Sequence, residues 1–144
     1  MFLIDTNIIS EERKGNRADP GVIAFIEKME HQLFLPAQAV GELRRGIEAL
    51  RQRGDFPQAA RLEAWFWQIL ATYSKRILPF DTACAELWGR LMGLNDQNPI
   101  DRQIAAIALH YDLTVVTRNT AHFAGTGARL LNPFTADTPA PPIV

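Results

Sequence analysis

Three carboxylates stand where the surrounding residues offer no ordinary place for them. Asp5 directly follows the apolar run Phe2-Leu3-Ile4 in MFLIDTNIIS. Such a run, bounded by polar residues, reads as a buried parallel strand, and ligands of open α/β sheets sit at carboxyl strand ends. The same residue would also cap a following helix, since Asp, Thr and Asn all cap well. Glu42 lies in PAQAVGELRRGIEALRQR, where Val40, Leu43, Ile47 and Leu50 form a core stripe and Arg44, Arg45, Glu48 and Arg51 the wet side. It falls on neither, but on a ridge of small residues with Ala39, Gly46 and Ala49. Small neighbours let a ligand approach a carboxylate closely, although an ordinary flank glutamate has the same spacing. Asp101, in NPIDRQIAAIALHYD, shares an i, i+3, i+4, i+7 stripe with Ile104, Ala105 and Ala108. It heads the apolar face, and as a first-turn acid it would also complement the helix dipole.

Brought together, the three acids would repel one another and hold their protons unless a cation lay among them. Oxygen-only donors select a hard cation, Mg²⁺ or Mn²⁺, and no His or Cys cluster at zinc spacing competes. A carboxylate-held Mg²⁺ polarises a phosphoryl oxygen and generates a hydroxide nucleophile. The chemistry indicated is hydrolysis at phosphorus.

Positioning these groups requires alternating elements. Strands are expected at Phe2–Ile4, Leu33–Leu35, Ile77–Phe80, Thr114–Thr117 and Ala128–Leu131, with helices near 20–30, 37–53, 57–74, 82–93 and 99–111. Pro20, Pro36, Pro57 and Pro99 stand at or just before helix starts, and Gly54 follows the helix at 37–53. The alternation predicts an α/β domain, a mainly parallel sheet sandwiched between helices. Helices 37–53 and 57–74 follow one another without a strand and are expected to form a hairpin. The domain is expected over 1–134. The Pro-rich tail 135–144, TADTPAPPIV, shows no period and is expected to be extended or disordered.

The 144 residues suit one domain, with 47% apolar and 22% charged residues, ordinary values for a globular protein. The single Cys84 excludes an internal disulfide and fits a small buried hydrophobe in a reducing, cytoplasmic setting. Nothing has the length of a membrane span or the pattern of a signal peptide. A net charge of −1, from 15 basic and 16 acidic residues, argues against binding nucleic acid by charge alone. Candidate phosphate contacts are Arg44, Arg45, Arg51, Lys75 and Arg76, and solvated faces carry the same pattern. In RLEAWFWQILATY, Leu62, Trp65, Phe66, Ile69 and Tyr73 form a core stripe, whereas Trp67 and Leu70 add apolar surface on a second face. Trp67 is the candidate partner contact, for an antitoxin or a second protomer, unless the helix is buried on both sides.

DTNIIS, PAQAVGELRRGI, DRQIAAIAL and LTVVTRNTAHFAGTGARLLNPF, in this order and spacing, resemble the PIN-domain nucleases, and more closely the VapC/FitB-type toxins of bacterial toxin–antitoxin pairs. The resemblance runs from Met1 to about Phe134. It implies a Rossmann-like α/β/α sandwich, a homodimer, and an endoribonuclease that uses Mg²⁺ or Mn²⁺ on RNA, structured RNA such as tRNA being suggested. It also implies inhibition by a cognate antitoxin, with operator DNA met only through that antitoxin. Asp5, Glu42 and Asp101 fall on the family's three core acidic positions. Thr6 would orient water at the ion, and Thr117, Arg118 and Asn119 match the T-R-N turn, where Arg118 would hold a phosphate. His122 departs from the pattern, standing where the family often has a fourth acid, and so puts a second ion in doubt. A haloacid-dehalogenase-like phosphatase would need a second aspartate at position 7, which here is Asn7. The remaining rival is a catalytically weak binding module that acts with an antitoxin on operator DNA.

Overall fold

The computed structural model describes residues 1–135. Its elements in chain order are β1 (Phe2–Ile4), α1 (Thr6–Glu12), α2 (Pro20–Met29), β2 (Leu33–Pro36), α3 (Ala37–Gln52), α4 (Phe56–Thr72), β3 (Ile77–Leu78), α5 (Thr82–Leu94), α6 (Pro99–Tyr111), β4 (Thr114–Val116) and β5 (Leu130–Leu131). The five strands form one parallel sheet in the order β3-β2-β1-β4-β5. Strand order reverses between β1 and β4, which pair through Phe2 with Thr114, Leu3 with Val115 and Ile4 with Val116. That reversal opens a crevice beyond the carboxyl ends of the two strands.

Side-chain alternation along a strand divides the core into layers. Leu3 and Val115 face one way and pack with Cys84, Leu91, Ile104, Ala105, Ile107 and Phe123, under α5 and α6. Ile4 and Val116 face the other way, among Ile8, Ile9, Val22, Ile26, Ile69 and Tyr73 of α1, α2 and α4. A third cluster, built on Leu43, Ile47, Leu50, Leu62 and Phe66, joins α3 to α4 as a hairpin. Gly54, at φ 78°, makes the reversal between them, and Asp55 caps α4 by accepting from the Gln58 N–H. Cys84 is fully buried.

Several boundaries differ from expectation for local reasons. The expected strand at Ile77–Phe80 stops at Leu78, because Pro79 has no N–H to continue a ladder. The strand expected from Ala128 begins at Leu130, since the Ala128 N–H turns back to Thr126 Oγ1. Thr117 lies just past β4, although its N–H still donates to the Leu131 carbonyl. Helix α1 was not among the expected elements; its seven residues are too few to show a helical period. The expected Pro-rich tail, apart from Thr135, lies outside the described residues.

The last described segment is strapped to α2. Asp19 caps that helix from the Gly21 and Val22 N–H groups and also accepts from the Thr135 N–H and hydroxyl. The strap passes so close that a Cβ on Gly21 would lie 2.3 Å from the Pro133 carbonyl oxygen. Gly21→Ala must therefore push the strap away, and a loss of about 1–3 kcal/mol is expected, the usual range for overpacking. Denaturant titration checks this; an unchanged midpoint would contradict it.

Candidate metal and phosphodiester site

Asp5 emerges from β1 at the switch point between β1 and β4, and Thr117 leaves β4 beside it. The Asp5 N–H donates to the Val116 carbonyl, locking the two strand ends together. The Asp5 carboxylate is only 5% exposed. Its Oδ1 accepts from the Thr6 N–H at 2.8 Å; its Oδ2 accepts from Thr117 Oγ1 at 2.8 Å and from Asn7 Nδ2 at 3.3 Å. The first of these bonds caps α1, so the capping role and the site role fall on one side chain.

The neighbouring residues fix one another. Asn7 Nδ2 also donates to Thr117 Oγ1, and Asn7 Oδ1 accepts from the Arg118 N–H. Thr117 Oγ1 accepts in turn from the Asn119 N–H. Asn119 thus acts here through its backbone. The Arg118 guanidinium lies over the Phe134 ring, 4.4 Å from its centroid, so the strap that Asp19 holds also seats this arginine. Asn7 is a site residue that sequence reasoning passed over except to reject a phosphatase. Its signal was contiguity with Asp5 and Thr6.

Helix α3 supplies Glu42, whose Oε1 accepts from Thr6 Oγ1 at 3.2 Å. One turn earlier Gln38 donates to Gln103 Oε1 of α6 at 3.1 Å, tying the two helices that carry Glu42 and Asp101. Gln38 and Gln103 were not foreseen either; a glutamine one turn from a candidate acid is too common to single out. Asp101 sits in the first turn of α6, with its Oδ2 3.0 Å from His122 Nδ1. Its neighbour Arg102 is 3% exposed and donates through Nε to the Gln97 carbonyl, because α6 is buried on nearly every side.

The same three acids are raised together, and Glu12 on α1 is raised separately by burial alone. Burial, reinforced by Asp101 and opposed by the Thr117 and Thr6 hydrogen bonds, pushes Asp5 up to about 6. Burial and then the Asp5 charge push Glu42 up to about 7. Asp101 is also raised, by burial, with His122 opposing. Among the described residues no three His, Cys, Asp or Glu side chains converge tightly enough to hold an ion by direct ligation. The donor chemistry nevertheless suits Mg²⁺ or Mn²⁺: three carboxylates, each with its proton affinity raised, that a hard cation would stabilise. Such an ion would rest on Asp5, Glu42 and Asp101.

Of the five basic residues considered for phosphate contact, three are engaged elsewhere. Arg44 and Arg51 pair with Glu48 and Glu63. Arg76 donates to the carbonyls of Glu30, Leu33 and Thr72. Arg45 is exposed and its charge reaches Glu42, and Lys75 is exposed. Trp67 is 57% exposed on α4, edge-on to Phe66, so the helix is not buried on both sides. Leu70, in contrast, packs into the α3–α4 core.

Asp5 and Glu42 bind protons more tightly folded than unfolded. Their contribution to stability is complete below about pH 4 and is lost as pH rises through about 6 to 7. Asp19, Glu63 and Asp81 are shifted the other way and lose their contribution only at the acid end. In EDTA the melting temperature should therefore fall from pH 5 to pH 8. Asp5→Asn should flatten that slope and be more stable at pH 8, by roughly 1–3 kcal/mol. A wild-type melting temperature that rises across the window would contradict this electrostatic account.

No helix among the described residues is long and apolar enough to cross a membrane. The PIN domain family matches residues 2–127. The chain is 34% identical to VapC ribonuclease Y4jK of Sinorhizobium fredii, covering 93% of this chain and 98% of that protein. It is 32% identical to toxin FitB of Neisseria gonorrhoeae, covering 93% and 99%. A solved structure of FitAB bound to an IR36 DNA fragment superposes with a TM-score of 0.75 at 28% identity, over 96% of this chain and 99% of that one. The reversal of strand order, the acids beyond it and these full-length likenesses agree: the chain belongs to the PIN-domain family, in its VapC/FitB toxin group.

Proposed function

We propose that this chain is a metal-dependent endoribonuclease and the toxin of a toxin–antitoxin pair. The observation that carries the reading is the trio Asp5, Glu42 and Asp101, drawn from three elements to one crevice with every carboxyl raised. A Mg²⁺ or Mn²⁺ ion held there would supply a polarised phosphoryl oxygen and a water acidic enough to act as nucleophile. Thr117 and Asn7 keep Asp5 from rotating, and Thr6 does the same for Glu42 while standing where it can orient water. Arg118 and Arg45 are the candidates to take RNA phosphates, Arg118 with its planar fork steadied on Phe134. The likeness to a VapC ribonuclease supports RNA as the substrate class, and structured RNA such as tRNA is the form we favour.

Purified, antitoxin-free protein should cut total cellular RNA with Mg²⁺ or Mn²⁺ and not in EDTA. Asp5→Asn should lower the rate by at least about 100-fold, the scale of losing transition-state charge stabilisation. Absence of cleavage by folded protein in either ion would favour the second reading, a weakly catalytic module acting with an antitoxin on operator DNA. The near-neutral net charge favours that alternative, as does His122 in place of a further acid.

The partner reading is a homodimer and a cognate antitoxin, with operator DNA met through that antitoxin; the FitAB–DNA likeness supports it. Trp67, exposed on α4 with Phe56 three turns earlier on the same face, is the proposed contact. Trp67→Ala should weaken dimer or antitoxin association by about 30-fold, a hot-spot effect, and hardly move the melting temperature. Unchanged association in both assays would remove Trp67 from the interface.

A further inference from the structure

We propose that the strap is a positioning element for RNA: Asp19 latches it to α2, and Phe134 on it holds the Arg118 guanidinium at the crevice. Asp19 and Phe134 thus set RNA affinity through Arg118, without touching RNA themselves. The inference rests on the ribonuclease reading above and deepens it, by naming what fixes its phosphate contact.

An arginine meets a phosphate through the N–H groups in the plane of its guanidinium, and an aromatic ring meets it through the face. The two contacts do not compete. The Arg118 guanidinium lies 4.4 Å from the Phe134 centroid, while the Arg118 backbone N–H donates to Asn7 Oδ1 at 3.2 Å. Both ends of a long, rotamer-rich side chain are therefore fixed before RNA arrives, so less freedom is lost on binding.

The ring has its own fixed place. Phe134 is partly buried against the layer of Ile4, Val22 and Val116. Its N–H donates to Asn132 Oδ1, and the next residue, Thr135, donates its N–H and hydroxyl to the Asp19 carboxylate at 3.1 and 2.9 Å. Burial pulls Asp19 upward, but the bonds from Thr135, Gly21 and Val22 outweigh it and hold the carboxyl below its ordinary value. The latch thus stays charged at neutral pH. Gly21 completes it: an added Cβ would run into the Pro133 carbonyl oxygen and Thr135 Cγ2, so the strap lies on α2 only because that position has no side chain. Among the described residues, Asp19, Gly21 and Phe134 make no hydrogen bond to the acid trio.

Binding of fluorescently labelled tRNA in EDTA, read by anisotropy below the melting temperature of every variant, tests the proposal without ion or cleavage. Arg118→Ala should weaken binding about 10-fold, the scale of one charged hydrogen-bonded contact, and lower the salt slope by about one. Phe134→Leu, which keeps the bulk and loses the ring face, should weaken it about 3-fold, the scale of a cation–π contact. Phe134→Tyr should match the wild type. Gly21→Ala, which lifts the strap, and Asp19→Ala, which unlatches it, should each weaken binding about 3-fold by loosening the same contact. With Arg118→Ala already present, none of Phe134→Leu, Gly21→Ala and Asp19→Ala should weaken binding further, because effects passing through one side chain do not add. Equal losses with and without Arg118, or no loss from these three variants, would overturn the inference and leave RNA binding standing. A folded wild type that does not bind tRNA would overturn the RNA reading and the inference with it.

Discussion

The Asp5 carboxylate is buried where two central strands part, and the rest of the site is arranged around that charge. An unpaired buried carboxylate is strongly disfavoured. Here Thr6, Asn7 and Thr117 satisfy its oxygens, and each comes from a residue immediately past a strand end or in the first turn of a helix. The hydrogen bonds lower the cost without removing it, because Asp101 and Glu42 add charge of the same sign. The fold thus keeps an electrostatic strain in the crevice. On the function proposed here a divalent cation would relieve it, so the feature that costs stability would also be the one that holds the ion.

Support for this arrangement is drawn from distant parts of the chain. Gln38 and Gln103 brace α3 against α6, so the helices bearing Glu42 and Asp101 keep their spacing. The Asp19 latch brings the strap under Arg118 through Phe134. The α3–α4 hairpin has its own core, and its basic residues are largely spent on Glu48 and Glu63. Arg45 on the same hairpin stays exposed, and its charge reaches Glu42.

Much of this was legible in the residues. The parallel sheet followed from short apolar runs alternating with helical periods, and the three acids were conspicuous because each broke the pattern of its own element. Asp101 heads a helix that is apolar on nearly all sides, which makes an acid at its start stand out. What escaped was decided by single hydrogen bonds or by short length. Helix α1 has two turns and no period to detect. The strand ends at Pro79 and Ala128 turned on one missing or diverted N–H. Asn7, Gln38 and Gln103 act through tertiary bonds that no one-dimensional pattern encodes.

The central claim is that carboxylates with raised proton affinity, Glu42 at about 7 and Asp5 at about 6, form the cation site. It is tested most directly by calorimetric titration of Mn²⁺ at pH 6.5 in two buffers of different ionisation enthalpy. Ligating carboxylates must be deprotonated, so binding should release protons into the buffer, and Asp5→Asn should release fewer. Tight binding with the same heat in both buffers would mean that the ion meets carboxylates already ionised, which contradicts the claim.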